Sequence, residues 1–353
     1  MHDDRLVGRC RPNRSPSRIY PSPSACIPFV LLSLSSCSGV QSALDPAGRE
    51  AEAVALLFWV MVAGGGVIWL GVMGALFYAS HLKKQPFSER KAGGLIVFGG
   101  VAFPVAVLAA LLAYAVWLMP AMRPWFGGEG EGLRRIEVTA EQYWWRVRYL
   151  DERGQLIRES ANEVYMPVDE RVLFLLKAKD VIHSFWIPSI GGKMDAIPGR
   201  VNSLQLEATR PGSYRGVCAE FCGTAHALMA FTVEALEPDA FEEWLQQTSV
   251  AASAQSGLQQ VSLSAGEASF LRQGCGACHA IDGTEAQGTI GPNLTGFGRR
   301  PTIAAGTLPN TREHLIRFIR SPDTIKPGVR MPAFSMLPES ELTAIADYLK
   351  GLE

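Results

Sequence analysis

The stretch CAEFCGTAHALM, residues 218–229, sets two cysteines four residues apart, a histidine four further on and a methionine three beyond that. A disulfide, a zinc site and a copper site compete for it. Disulfides are the default for paired cysteines in an oxidising compartment, but a disulfide requires neither His226 nor Met229. Zinc favours a closed tetrahedron of Cys and His, which leaves Met229 and Glu220 without a role. Soft thiolate and thioether ligands with imidazole select copper. A mononuclear copper site for electron transfer takes one Cys, two His and a weak axial Met, so this motif holds one thiolate too many. Two cysteines can instead bridge two copper ions, with one His on each. Of the six histidines in the chain, His183 is the one left in the surrounding segment. It lies in DVIHSFWIPSIGGKMDAIPGR, residues 180–200.

Around these motifs, short β-prone runs alternate apolar and polar residues: RRIEVTAEQYWWRVRYL, RVLFLLKAKD, VNSLQLEAT, GSYRGVC and MAFTVEAL. Gly, Pro and Asp separate them, a spacing that predicts a β-sandwich or barrel ending near Trp244. The uncharged stretch Gln246 to Val261 reads as a flexible linker, with a coil reach of about 20–25 Å. Helical character follows. Ser264 with Glu267 fits a capping box, and TREHLIRFIRS and ESELTAIADYLKGL carry apolar residues at i, i+3 and i+4.

This helical segment contains CGACH, residues 275–279, the pattern of covalent haem c attachment. A redox or zinc CxxC is the alternative. GPNL, residues 291–294, resembles the loop that braces the ligand histidine in small cytochromes c. RMPAF, residues 330–334, resembles their distal methionine loop. His279 and Met331 are thus the axial candidates and Cys275 and Cys278 the attachment thiols. Met336 is the alternative axial ligand, though core packing is its expected role, and His314 on a polar helix face is not expected to be a ligand.

Upstream, Ala53 to Ser80 and Ala92 to Met122 contain no Asp, Glu, Lys, Arg or His. About 20 apolar residues cross a bilayer core, so both stretches suffice. The loop between them carries Lys83, Lys84, Arg90 and Lys91 against Glu89, which puts the loop in the cytoplasm and both outer ends on the other side. The first 36 residues, rich in Arg, Pro and Ser, read as a leader. Small residues before Cys37 look like a lipoprotein-type cleavage site, making Cys37 a candidate for lipidation. An unstructured leader from a misplaced start codon is the alternative. The formal net charge of −1 gives no global basic field for nucleic acid.

The two copper-type motifs together resemble subunit II of haem–copper cytochrome c oxidase over residues ~50–245, and the motif Cys-x-Glu-x-Cys-x3-His-x2-Met is specific to its binuclear CuA centre. The resemblance implies a cupredoxin barrel in which Cys218 and Cys222 bridge two coppers. His183 and His226 are then terminal ligands, Met229 completes one metal, and the Glu220 backbone carbonyl reaches the other. It also implies that the Glu220 side chain meets a magnesium ion at the interface with subunit I. Two departures stand out. The family's Gln-Trp-Tyr-Trp is QYWW here, Gln142 to Trp145, so the electron-entry position is Tyr143, followed by Trp144. Aligned on Pro104, the Glu often found near a proton-uptake path falls at Val97. Core packing is the alternative role for the aromatic run.

The expected architecture is a multidomain membrane protein. It comprises a leader (1–36), a two-helix transmembrane hairpin (37–130, spans about 53–80 and 92–120), an all-β cupredoxin barrel (131–245), a linker (246–261) and an all-α cytochrome c domain (262–353). The expected function is that of subunit II of a terminal oxidase. A soluble or membrane cytochrome c or another donor reduces haem c, CuA follows, and oxygen is reduced to water in subunit I with proton translocation. The expected location is a bacterial-type inner membrane, multi-pass, with both metal domains periplasmic. No acid–base or nucleophilic constellation is present, and electron transfer needs none. The rivals are the CuA subunit of a nitric oxide reductase and, from another class, a membrane-anchored copper chaperone or sensor. The chaperone reading leaves CxxCH and a distal Met unexplained. Nitrous oxide reductase shares the CuA motif, but the anchor and the C-terminal cytochrome argue against it.

Overall fold

The structure is a computed structural model and describes residues 38–82, 85–119, 132–247 and 264–352. The leader, Cys37, Lys83, Lys84 and most of the expected linker lie outside the described residues.

Helix α1 (Arg49–Phe77) continues through a π turn, Tyr78–Leu82. Helices α2 (Glu89–Val97) and α3 (Phe103–Leu118) join through another, Phe98–Ala102. The resulting helices Arg49–Leu82 and Glu89–Leu118 are both long and apolar enough to cross a membrane, and almost none of their apolar residues are buried in the protein. Among the described residues of these helices, those buried against protein are at the start of α1. Glu50, Ala51 and Ala55 are buried there. Arg171 Nη2 lies 2.9 Å from Glu50 Oε1, and Arg49 Nε donates to Glu207 Oε1 at 2.8 Å.

Ten strands form the next layer pair: β1 (Arg134–Glu141), β2 (Trp144–Leu150), β3 (Leu156–Ala161), β4 (Glu163–Pro167), β5 (Arg171–Ala178), β6 (His183–Trp186), β7 (Met194–Ala196), β8 (Asn202–Glu207), β9 (Gly212–Cys218) and β10 (Ala230–Leu236). They make two five-stranded sheets, ordered β3-β2-β1-β5-β8 and β4-β10-β9-β6-β7. Most pairs are antiparallel, but β1 runs parallel to β5 and β4 parallel to β10. Alternation along β1 sends Ile136, Val138 and Ala140 inward. They meet an aromatic cluster in which Trp145 lies 5.7 Å from Phe185 and 5.3 Å from Phe231, with Phe185 and Phe231 stacked at 4.7 Å. Offset and edge-to-face rings at such spacing are favourable beyond their buried area. The β-prone run from Arg134 to Leu150 forms the hairpin β1–β2, turning at Gln142 and Tyr143. Helix α4 (Pro238–Gln246) closes the sandwich and buries Phe241 and Leu245.

The C-terminal part is helical. In α5 (Ala265–Arg272) the Ser264 hydroxyl accepts from the Glu267 amide at 3.1 Å, the expected N-cap. In α6 (Arg312–Arg320) Thr311 caps in the same way, accepting from the His314 amide. After the short α7 (Pro322–Ile325), α8 (Glu339–Lys350) packs against α5 and α6 around Phe270, Leu315, Ile319, Leu342 and Ile345. The α5–α8 approach is close enough that a Cβ on Gly266 would overlap the Ala344 carbonyl, so glycine is required there.

The helical part lies against the sandwich through specific bonds. The Ala230 amide donates to the Ala305 carbonyl at 3.1 Å, Arg146 Nη2 to the Thr289 carbonyl at 2.8 Å and the Thr224 hydroxyl to the Pro327 carbonyl at 3.0 Å. Arg300, fully buried, faces Glu163 of β4 at 3.9 Å. Burial pushes the Glu163 carboxyl from 4.5 up to about 7, against the pull of Arg300. The folded state therefore holds this proton across the interval in which the unfolded chain has lost it. The contribution of Glu163 to stability is fully present below about 4.5 and is lost as pH rises through about 7. Glu163→Gln should flatten this part of the pH profile, read as melting temperature against pH for the full chain.

Candidate metal and haem sites

The CAEFCGTAHALM loop connects β9 to β10, and its two ends are pinned together: the Cys218 amide donates to the Met229 carbonyl at 2.9 Å. Cys218 ends β9, His226 opens a short 3-10 turn (His226–Leu228), and Met229 directly precedes β10. His183 opens β6, which pairs with β9, and it is completely buried. These placements bring the soft donors into one cluster. The two Sγ atoms stand 3.8 Å apart, beyond the ~2.0 Å of a disulfide. Cys218 Sγ has His183 Nδ1 at 3.8 Å and the Glu220 carbonyl at 3.2 Å. Cys222 Sγ has His226 Nδ1 at 3.6 Å and Met229 Sδ at 3.9 Å. Two thiols, two imidazoles, a thioether and a carbonyl in one largely buried cluster fit copper by softness.

Electrostatics orders the cluster. The Cys222 thiol hydrogen-bonds the Cys218 sulfur and holds Cys218 down to about 3 despite burial. Cys222 is raised by the same hydrogen bond and by burial. Burial alone would lower the His183 pKa, but Cys218 and Asp180 more than offset it and raise it. Asp180 Oδ1 lies 3.0 Å from His183 Nε2, and its other oxygen accepts from the Gln142 amide at 2.8 Å. Burial works against the Asp180 charge, yet His183 and the two backbone amides hold its pKa below the usual range. An anionic acceptor at Nε2 fixes the tautomer that turns an unprotonated Nδ1 toward the sulfurs.

The helical part contains a cleft of about 310 Å³ lined by Cys275, Cys278, His279, Met331 and the apolar Phe270, Leu294, Ile319 and Ile345. His279 Nδ1–H donates to the Pro292 carbonyl at 2.8 Å, which leaves Nε2 as the free nitrogen. Burial lowers the His279 pKa, so the ring is neutral near pH 7. Gly291 lies so close that a Cβ there would come within 2.6 Å of the His279 ring. An apolar cleft with both thiols, a braced imidazole and a thioether on its walls fits a covalently held haem. A second cavity of about 140 Å³ shares His279 and Met331 but is walled on its other side by Tyr143 and Trp144 of the sandwich. Tyr143 is buried, and its hydroxyl accepts from the Thr224 amide at 3.1 Å. The Arg146 guanidinium lies over the Trp144 ring at 4.7 Å. Gln142, just before them, donates from Nε2 to the Cys222 carbonyl at 2.6 Å.

Residues 133–236 match the family model described as cytochrome c oxidase subunit II, periplasmic domain, and residues 263–353 match that of cytochrome c. Over 339 residues the chain is 32% identical to cytochrome c oxidase subunit 2 of Alkalihalophilus pseudofirmus, covering 92% of this chain and 95% of that one. The chain belongs to the cytochrome c oxidase subunit II family. The Bacillus subtilis subunit 2 is 36% identical over 238 residues, 64% of each chain. Among solved structures, the periplasmic domain of subunit II of the Bradyrhizobium japonicum cytochrome oxidase is 31% identical, covering 32% of this chain and 91% of that one, with a TM-score of 0.30. As a family member the chain is a membrane-anchored subunit of a haem–copper oxidase, an oxidoreductase complex. Its subunit II domain implies copper and its cytochrome c domain implies haem.

His183, Cys218, Cys222, His226, Met229 and the Glu220 carbonyl thus lie together, as do Cys275, Cys278, His279 and Met331. The Glu220 side chain points away, with Oε2 3.8 Å from Lys193 Nζ. Met336 was expected in the core and is instead 74% exposed; it points outward from the loop that Phe334 and Leu337, on either side of it, anchor to the helices. His314 serves the α6 cap, with Nδ1 3.0 Å from the Thr311 hydroxyl. Sequence reasoning assigned no role to Asp180, which holds His183, or to Arg330, whose guanidinium lies 3.6 Å from Asp180. A carboxylate three residues before a ligand histidine was the available signal for the first; nothing local marked the second. Asp180→Asn should weaken copper retention about 10–100-fold, measured by chelator competition on the full chain.

Proposed function

We propose that the chain is the electron-accepting subunit of a haem–copper terminal oxidase, taking electrons from a cytochrome c or another donor. They would pass through haem c to a binuclear CuA centre and on to subunit I, where oxygen is reduced to water with proton translocation. When bound, the haem and the copper pair supply one-electron redox couples. The protein's own residues supply placement. On this reading Cys218 and Cys222 bridge the metals, His183 and His226 are terminal, and Met229 and the Glu220 carbonyl complete one metal each. The pairwise grouping of donors around each sulfur supports two ions. Cys275 and Cys278 attach the haem, and His279 and Met331 ligate it. The Glu220 carboxylate, free of the copper cluster, is the candidate for magnesium at the subunit I interface.

The observation that carries this reading is the shared wall. Tyr143 and Trp144 border the cavity that reaches His279 and Met331, while the adjacent Gln142 holds the Cys222 carbonyl. Entry through Tyr143 where the family has Trp is intelligible if the donor is the chain's own cytochrome. A tethered partner docks at high effective concentration.

The corresponding division of the chain is leader 1–36, membrane hairpin 37–130, copper domain 131–245, linker 246–261 and cytochrome 262–353. Both metal domains would stand on the periplasmic side of a bacterial cell membrane, crossed twice, because the cationic loop after α1 favours the cytoplasm. Cys37 remains the candidate for lipidation.

The purified complex should contain two subunit II coppers and one covalent haem per chain, and should consume oxygen rather than nitric oxide. Cys222→Ser should lower the copper count and abolish oxygen uptake while leaving the haem c absorption intact. One copper per chain in the unsubstituted protein, or zinc in its place, would overturn the reading.

A further inference from the structure

Lys326 follows α7 and is only 2% exposed. Its ammonium has a single hydrogen-bond partner among the described residues, the Ala304 carbonyl at 2.9 Å, and no carboxylate within ion-pair distance. A buried charge without a counter-ion is expensive. No Asp or Glu among the described residues supplies a counter-charge, and burial alone favours the neutral amine. Lys326 lines the cavity shared by Tyr143, Trp144, His279 and Met331. The next residue, Pro327, accepts from Thr224, inside the loop between Cys222 and His226. The Ala304 carbonyl that holds the ammonium belongs to a left-handed turn, Ala304–Gly306, whose Ala305 accepts from the amide of Ala230, immediately after Met229. The lysine is thus fixed where the helical part meets the copper loop.

We propose that Lys326 is a positioning residue: a cation sealed between the haem cleft and the Cys218–Cys222 cluster that raises the electron affinity of the copper centre relative to the haem. This rests on the reading that copper and haem occupy those two sites. Adding one electron to the thiolate-held metals makes their net charge more negative by one, and a nearby ammonium in a dry environment favours that state. A Cys222 thiolate, the form that would hold copper, supports the ammonium against burial, which lowers the lysine to about 7. The stabilisation is mutual: the anionic cluster supplies the counter-charge that the surrounding side chains do not.

The test is a redox titration of the purified oxidase carrying Lys326→Met, Lys326→Gln or Lys326→Arg, with copper and haem content measured in each. Met removes charge and hydrogen bond, Gln keeps a donor without charge, and Arg keeps both. Both neutral variants should move the equilibrium electron distribution toward haem by about tenfold, about 59 mV for a one-electron couple. The copper potential should fall and the haem potential move less, while Arg stays near the unsubstituted value. Unmoved potentials in fully loaded Met and Gln variants would overturn the proposal. So would a Gln variant that behaves as the unsubstituted protein, since the hydrogen bond alone would then suffice, or a shift confined to haem. An unsubstituted chain that binds neither copper nor haem would instead sink the functional reading, and this inference with it.

Discussion

The site depends on one short closure. The Cys218 amide bonds to the Met229 carbonyl, so the loop that carries the donors leaves β9 and re-enters at β10 across a single ladder step. Antiparallel pairing of these strands fixes both ends of the loop. Pairing of β6 with β9 then delivers His183 from a distant part of the sequence into the same cluster. The sheets that carry the soft donors pack on an aromatic core of Trp145, Phe185 and Phe231. The cost of crowding two sulfurs is met locally: one thiol hydrogen-bonds the other, and each has an imidazole beside it.

The second organising feature is the seam between the sandwich and the helical part. It is made of backbone carbonyls, one buried ion pair and a few side-chain donors rather than a large apolar face. Asp180 reaches across it to Arg330. The same carboxylate fixes the tautomer of His183, accepts from the β1–β2 turn and faces Arg330, which directly precedes Met331. One side chain therefore touches a candidate ligand of the copper cluster and the neighbour of a candidate haem ligand. Polar seams of this kind are typical of contacts between domains within one chain.

Much of this was legible in the sequence because the relevant chemistry is local and rare. CGACH and CAEFCGTAHALM pack several soft donors into a few residues, and the uncharged runs that became the long apolar helices are unmistakable. The short strands were harder. β6 and β7 are too brief for any periodicity, and β3 carries Arg158, Glu159 and Ser160, which read as loop until Arg146 and Arg148 are seen pairing with Glu159. The turn at Gln142 and Tyr143 between β1 and β2 has neither Gly nor Pro to mark it. Met336 misled because thioether side chains are usually buried. Lys326 had no signal at all: its significance is that it is buried, and burial of a lysine is a property of the assembled fold.

The start of α1 has a mechanical consequence. Arg49 and Glu50 are clamped to Glu207 and Arg171 of the sandwich before the helix enters its apolar stretch. These pairs, with buried Ala51 and Ala55, tie the start of the first apolar helix to the sandwich. A tilt of that helix in a bilayer would reach the sandwich through these two pairs, and with it the strands that carry the sulfur loop.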